Sequence, residues 1–137
     1  MRYLSKEGMA VFYAFVIMET HFHLIWQIMG DHQLKKVQQV FLKYTAQMIL
    51  WNMESVNSPL LPYVVVHKKD RKNQVWMRKS LSTSLWSPSV LTQKLNYIHN
   101  NPVKAGLCRY PEEYKYSSAR FYICNDQDWD FLVHYEG

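Results

Sequence analysis

His21-Phe22-His23 sets two imidazoles around one large apolar side chain. Residues two apart on an extended strand project to the same face, so both rings would aim at one point while Phe22 enters the opposite layer. Two convergent neutral imidazoles make half of a divalent-metal site. A catalytic site needs at least one more oxygen or nitrogen ligand and an open position. Tyr97 and Asn101 are four apart and would share one face of a helix. They would offer a phenol hydroxyl beside an amide oxygen able to bind a hard cation. Spacing alone favours plainer accounts: histidines alternating in a strand by chance, and a half-buried tyrosine with a helix-end asparagine. His32, His67, His99 and His134 show no comparable pairing, and neither Lys94 nor His99 is given an acid or base role.

The elements that must position these groups are legible in the periodicities. Residues 11 to 18 are rich in Val, Phe, Tyr and Ile and predict a strand. Glu19-Thr20 turns the chain into a second strand over 21 to 28. There His21, His23, Ile25 and Gln27 take one face, and Phe22, Leu24, Trp26 and Ile28 the other. Gly30-Asp31 breaks it. Leu34, Val37, Phe41, Tyr44, Met48 and Trp51 recur at the spacing of an amphipathic helix over about 32 to 53. A short strand is predicted over 63 to 67, a hairpin partner over 74 to 77, and a charged tip over 68 to 73. Ser87-Pro88 is a helix start, a capping serine with proline at the first helical position. That helix would turn Leu91, Leu95 and Ile98 inward and end near Asn101-Pro102, because a residue before proline avoids helical geometry. The remainder is aromatic-rich and irregular, with one short helix around 117 to 122.

The chain has 137 residues, enough for a single domain with a modest core over 1–137. Its net charge is +5, but Asp126, Asp128, Asp130 and Glu136 fall within an acidic segment over 123–137. Setting those four aside leaves 16 basic against 7 acidic side chains, or +9. A basic body with an acidic end suits a polyanionic partner, or simply a solvated surface. Six of the 16 basic residues fall between 68 and 79: Lys68, Lys69, Arg71, Lys72, Arg78 and Lys79. Trp76 lies among them, and cations interleaved with an aromatic suit phosphate contacts and base stacking. A solvated hairpin accounts for the charge equally well. Cys108 and Cys124 are too few and too far apart for a disulfide scaffold or zinc ribbon. No apolar run approaches the ~20 residues that span a bilayer. The first residues lack the apolar core of a secretion signal, so the cytoplasm is the expected compartment.

Taken together, these residues resemble a known family. His21-Phe22-His23 after an apolar strand resembles the HUH motif, two histidines around a hydrophobic residue. Tyr97-Ile98-His99-Asn100-Asn101-Pro102-Val103-Lys104-Ala105-Gly106-Leu107 resembles the tyrosine helix of single-tyrosine HUH transposases, in particular the REP-associated branch. Asp70-Arg71-Lys72 with Trp76, and Tyr116-Ser117-Ser118-Ala119-Arg120-Phe121-Tyr122, match that branch in order and spacing. The resemblance covers nearly the whole chain from about residue 11. It implies an α+β, ferredoxin-like fold, an antiparallel sheet with helices packed on it, and a Mg2+ or Mn2+ ion. By the same resemblance His21, His23 and Asn101 would be metal ligands and Tyr97 the nucleophile. The implied activity is a single-stranded DNA endonuclease and strand transferase working through a 5′-phosphotyrosine, with imperfect hairpins as substrates.

Two departures stand out. The family commonly has Pro-Asn before the first histidine, where this chain has Glu19-Thr20, a poorer turn pair that puts a carboxylate near the presumed metal. Ten residues precede the first strand, whereas family members usually carry a further strand and helix there. An unpaired sheet edge would follow, giving either a homodimer that repairs it or a shortened relative without activity. The competing function, of another class, is a DNA-hairpin-binding transposase remnant without catalysis.

Overall fold

The structure is a computed structural model and describes residues 1–68, 71–77 and 80–135. In chain order the elements are α1 (Arg2–Lys6), β1 (Ala10–Ile17), β2 (Phe22–Ile28), α2 (Leu34–Ser55), α3 (Leu61–Val64), β3 (Val65–Lys68), β4 (Arg71–Asn73), α4 (Pro88–His99), α5 (Asn101–Lys104) and α6 (Ala119–Ile123). A single 3-10 turn, Pro111–Glu113, lies before α6. The class is α+β, with antiparallel pairing in both two-stranded sheets. The chain divides into two compact units: Met1–His32 with Ser84–Gly137, and Gln33–Thr83. No helix among the described residues is long and apolar enough to cross a membrane.

In the first unit β1 and β2 form a hairpin, closed by the Met18 amide donating to the His21 carbonyl at 2.8 Å. The pairing runs Ala10↔Ile28 to Phe12↔Trp26, then resumes at Ala14↔Ile25 and ends at Ile17↔Phe22. Tyr13 is therefore an extra residue, a β-bulge, that shifts the alternation of β1 by one. Phe12 and Phe15 consequently share a face although they are three apart, while Ala14 and Val16 take the other. On the Phe face an aromatic layer closes the core. Phe12 lies 5.7 Å from Trp26 and 5.9 Å from Phe131, and Phe15 lies 5.1 Å from Trp129, centroid to centroid. Phe12, Phe15 and Val16 are fully buried, each contributing about 1.5–3 kcal/mol of hydrophobic stabilisation.

On the opposite face Ala14, Val16 and Ile25 pack with Leu91 and Ile98 of α4. Ile25 shares its face of β2 with His23, so the helix bearing Tyr97 lies on the histidine side of the sheet. Its start follows from Ser87-Pro88: the Ser87 hydroxyl accepts from the Val90 amide at 3.3 Å, and proline occupies the first turn. Ser87→Ala should lower stability by about 1 kcal/mol, read as a lower thermal midpoint with unchanged circular dichroism at room temperature. α4 ends at His99, close to the expected stop, but the residue before Pro102 is itself helical: Asn101 opens a short α5 that the sequence did not announce, with proline in its first turn. Gly106 closes it at φ +72, a left-handed conformation that favours glycine, with the Leu107 amide donating to the Pro102 carbonyl at 2.9 Å.

The outer edge of β1 is not bare, contrary to the expectation drawn from the short N-terminal segment. The Ile17 amide donates to Tyr116 O at 2.8 Å, the Ser118 amide to Phe15 O at 2.9 Å, and the Val133 amide to Phe12 O at 3.0 Å. The segment expected to be acidic and irregular is thus built into the sheet and core. Two of its aspartates pair with arginines, Asp126 with Arg120 and Asp130 with Arg2, each at 2.7 Å.

In the second unit α2 follows the predicted span closely, yet the apolar stripe is only partly covered. Val37 and Phe41 are buried, whereas Leu34, Met48 and Trp51 are exposed. The expected strand over 63 to 67 begins later, because Pro62 favours the first turn of the short α3. Its partner is also different. β3 pairs Val65↔Asn73 and Lys68↔Arg71, so the predicted charged tip supplies its own second strand and residues 74 to 77 do not. Trp76 instead donates its indole N–H to Thr45 Oγ1 of α2 at 2.9 Å.

Candidate functional site

The β1–β2 register sets His23 opposite Val16, which is fully buried. This directs the imidazole to the face where α4 lies. His21 sits just ahead of β2, its Nδ1 3.1 Å from the Thr20 hydroxyl. When that nitrogen carries the proton and donates it to Thr20, Nε2 is left with a lone pair for a cation. The His21 and His23 ring centroids are 5.2 Å apart, with the planes at 80°. Tyr97 completes the group: its ring lies 5.7 Å from that of His23 at 77°. Three of the four residues singled out in the sequence, from a hairpin and a helix more than seventy positions apart, therefore meet. Tyr97 is 45% exposed, so its hydroxyl is accessible to a large substrate.

Asn101 opens α5, one turn beyond Tyr97. It is half-buried, and its Nδ2 is buried with no hydrogen-bond partner among the described residues. An amide left orphaned costs desolvation free energy unless something binds it. A half-turn of the amide exchanges Nδ2 for Oδ1 and would present an acceptor at that position. The His23 imidazole is held below its ordinary value by burial, then by His21 and Lys94. It is therefore neutral at pH 7, the form that ligates metals. Among the described residues no third His, Cys, Asp or Glu joins the pair in a metal-binding group. Two imidazoles with one amide would leave most positions of a weakly held divalent ion open to water and phosphate oxygens, the ligands Mg2+ and Mn2+ favour. The residues present fit such an ion.

The Glu19 carboxylate belongs to no such group; it acts on Tyr114, whose phenol is pushed up by burial first and then by Glu19. Tyr114 donates its hydroxyl to Ile17 O at 2.9 Å, a structural bond at the base of the hairpin turn. Cys108 and Cys124 are free thiols. Burial, then Glu113 and Glu112, push the Cys108 thiol up, which disfavours the nucleophilic thiolate.

Two features escaped the sequence reading. Lys94 and Lys104 both approach the Tyr97 ring, with Nζ 5.6 Å and 5.2 Å from its centroid. Lys94 was discoverable, since it precedes Tyr97 by one helical turn. Lys104 reaches the ring from beyond the proline break, which no periodicity encodes. The second is His99, which is buried, with its Nε2 2.8 Å from the Ser118 hydroxyl. That hydroxyl also accepts from the Phe15 amide at 2.9 Å. The basic stretch fares differently. Lys69, Arg78 and Lys79 lie outside the described residues, and of Lys68 and Arg71 only the backbone is described. Lys72 is exposed, and Trp76 is half-buried against α2.

Compared with protein families, curated proteins and solved structures, the chain matches none in any of the three.

Proposed function

We propose that this chain is a metal-dependent single-stranded DNA endonuclease and strand transferase of the HUH type, with Tyr97 as nucleophile and His21, His23 and Asn101 as the metal ligands. The observation that carries the reading is the contact of the Tyr97 ring with one of two adjoining imidazoles. A phenol beside a histidine pair has no evident packing purpose when it is 45% exposed. The reading also draws on the resemblance of the two motifs to the HUH family.

Each phosphodiester oxygen is shielded by negative charge, so attack requires that charge to be offset. A divalent ion held by the two imidazoles and the Asn101 amide would polarise a non-bridging oxygen. The chain's own residues do the rest. α4 carries the Tyr97 ring against His23 of the hairpin, which would limit the motions of its hydroxyl and lower the entropy cost of an in-line approach. The Tyr97 oxygen forms a bond to phosphorus as the bond from phosphorus to the 3′ oxygen breaks. The phenol proton is lost to solvent, and the departing 3′ oxygen gains one. A phenolate, with a parent pKa of ~10, leaves more readily than an alkoxide. The 5′-phosphotyrosine can therefore be attacked by another 3′-hydroxyl, which restores the phenol and joins the strands.

The test is formation of a protein–DNA adduct that survives boiling in detergent, using single-stranded hairpin pools and Mn2+. Chelation should abolish the adduct. His21→Ala and His23→Ala should each slow its formation by on the order of a hundredfold or more. Both residues are at least partly solvent-facing, so the variants should fold normally. Adduct formed at equal rates in chelator and in Mn2+ would rule out the metal-dependent assignment.

A further inference from the structure

The ligand set holds no carboxylate: two imidazoles and an amide. Around it the described residues place no carboxylate in a metal-binding group, but they do place two ammonium groups. Lys94 lies 5.6 Å and Lys104 5.2 Å from the centroid of the same phenol ring. Neither forms an ion pair with a carboxylate among the described residues. The attraction of an exposed ammonium to an aromatic face is small. It does not account for two like charges converging on one ring, since they repel each other and neither is neutralised. Lys104 gets there by a specific device: α4 stops at His99, and Pro102 starts a second short helix whose last residue comes back over the tyrosine.

A site with no anionic ligand and two adjacent positive charges repels a bare divalent cation. It welcomes one only when negative charge arrives as well. A phosphodiester carries that charge, and the lysines flank the side chain that would attack it. We propose that Lys94 and Lys104 are the cationic contacts to the reacting phosphate, and that they make the histidine pair bind its divalent ion appreciably only together with the DNA. This rests on the nuclease reading above. By linkage the effect is reciprocal: if DNA tightens the ion, the ion tightens DNA by the same factor.

The experiment measures Mn2+ affinity by the electron paramagnetic resonance of the free ion. It uses the full chain carrying Tyr97→Phe, which cannot form the covalent link and so stays at equilibrium. The probe is a pool of single-stranded DNA hairpins with randomised flanks. With both lysines present, DNA should tighten Mn2+ by about tenfold or more. Adding Lys94→Gln and Lys104→Gln should leave Mn2+ binding to the free protein equal or tighter, and reduce the coupling to about threefold or less. Each single substitution should remove part of the coupling, so the idea remains testable if the double variant fails to fold by circular dichroism. Mn2+ affinity that is the same with and without DNA overturns the proposal, as does full coupling in the double variant. Either result leaves the nuclease reading standing if the unsubstituted chain still forms an adduct. Absence of Mn2+ binding in both states overturns the two together.

Discussion

Tyr97→Phe should yield no covalent protein–DNA adduct at any time point, while its affinity for hairpin DNA stays within about twofold of the parent. The substitution removes one oxygen atom. The ring that meets His23 edge-on and carries Lys94 and Lys104 on its faces is kept. The residue is 45% exposed, so the hydroxyl is not part of the buried core. Stability should therefore stay within about 0.5 kcal/mol of the parent. A nucleophile has no substitute at its own position, so the loss should be complete rather than graded. The measurement pairs a denaturing gel for adduct with an equilibrium binding assay on the same preparations. An adduct that persists would transfer the nucleophile to another exposed phenol, Tyr116 or Tyr110 for example, and would sink the assignment.

The parts of this site that could be read from the chain are those set by local rules. Alternation placed His21 and His23 on one face, and a serine and proline fixed the start of the tyrosine helix to the residue. The helix stops at His99, near the expected Asn101-Pro102, although Asn101 itself is helical as the first residue of α5. What could not be read depends on tertiary returns. The bulge at Tyr13 has no sequence mark: Val11 to Val16 reads as an uninterrupted apolar run, whose alternation would have set Phe12 and Phe15 on opposite faces. The bond between His99 and Ser118 joins residues nineteen apart across a turn and an irregular stretch. In the second unit, periodicity identified α2 correctly but overstated its burial, since it reports which residues could be covered and not what covers them. In the hairpin there, Trp76 is an apparent strand residue that instead donates to Thr45 of α2, a tertiary contact no local pattern encodes.

His99 gives the second large effect, on stability as a function of pH. Burial lowers its pKa from the ordinary 6.5 to about 4 in the folded protein. The groups against it are the Ser118 hydroxyl and the Tyr122 ring, with His134 behind Tyr122. None of these supplies negative charge to accommodate an imidazolium. Between pH 6.5 and 4 the unfolded chain therefore takes up a proton that the folded chain refuses. The sign follows: the stability is fully present above 6.5 and drains away as the pH falls toward 4, by on the order of 3 kcal/mol in total. His23 is depressed in the same direction and contributes with the same sign, though it is more open to solvent. Urea unfolding at a series of pH values, for the parent and for His99→Gln, separates them. The substituted protein starts less stable but should lose markedly less between neutral and acid pH. Parallel curves for the two proteins would show that His99 is not the proton-linked group.

The odd residue in β1 has a consequence for how this chain can change over time. From Ala14 onward every side chain of the strand owes its side of the sheet to Tyr13 being surplus. Pairing Tyr13 directly with Ile25, with no surplus, would set Val16 opposite Phe22, rotate it away from Leu91 and Ile98 and break the match that keeps His23 across from it. The imidazole touches Tyr97 because of a count of residues made on the neighbouring strand. Lineages of this chain should thus be intolerant of gaps anywhere between residue 13 and the hairpin turn.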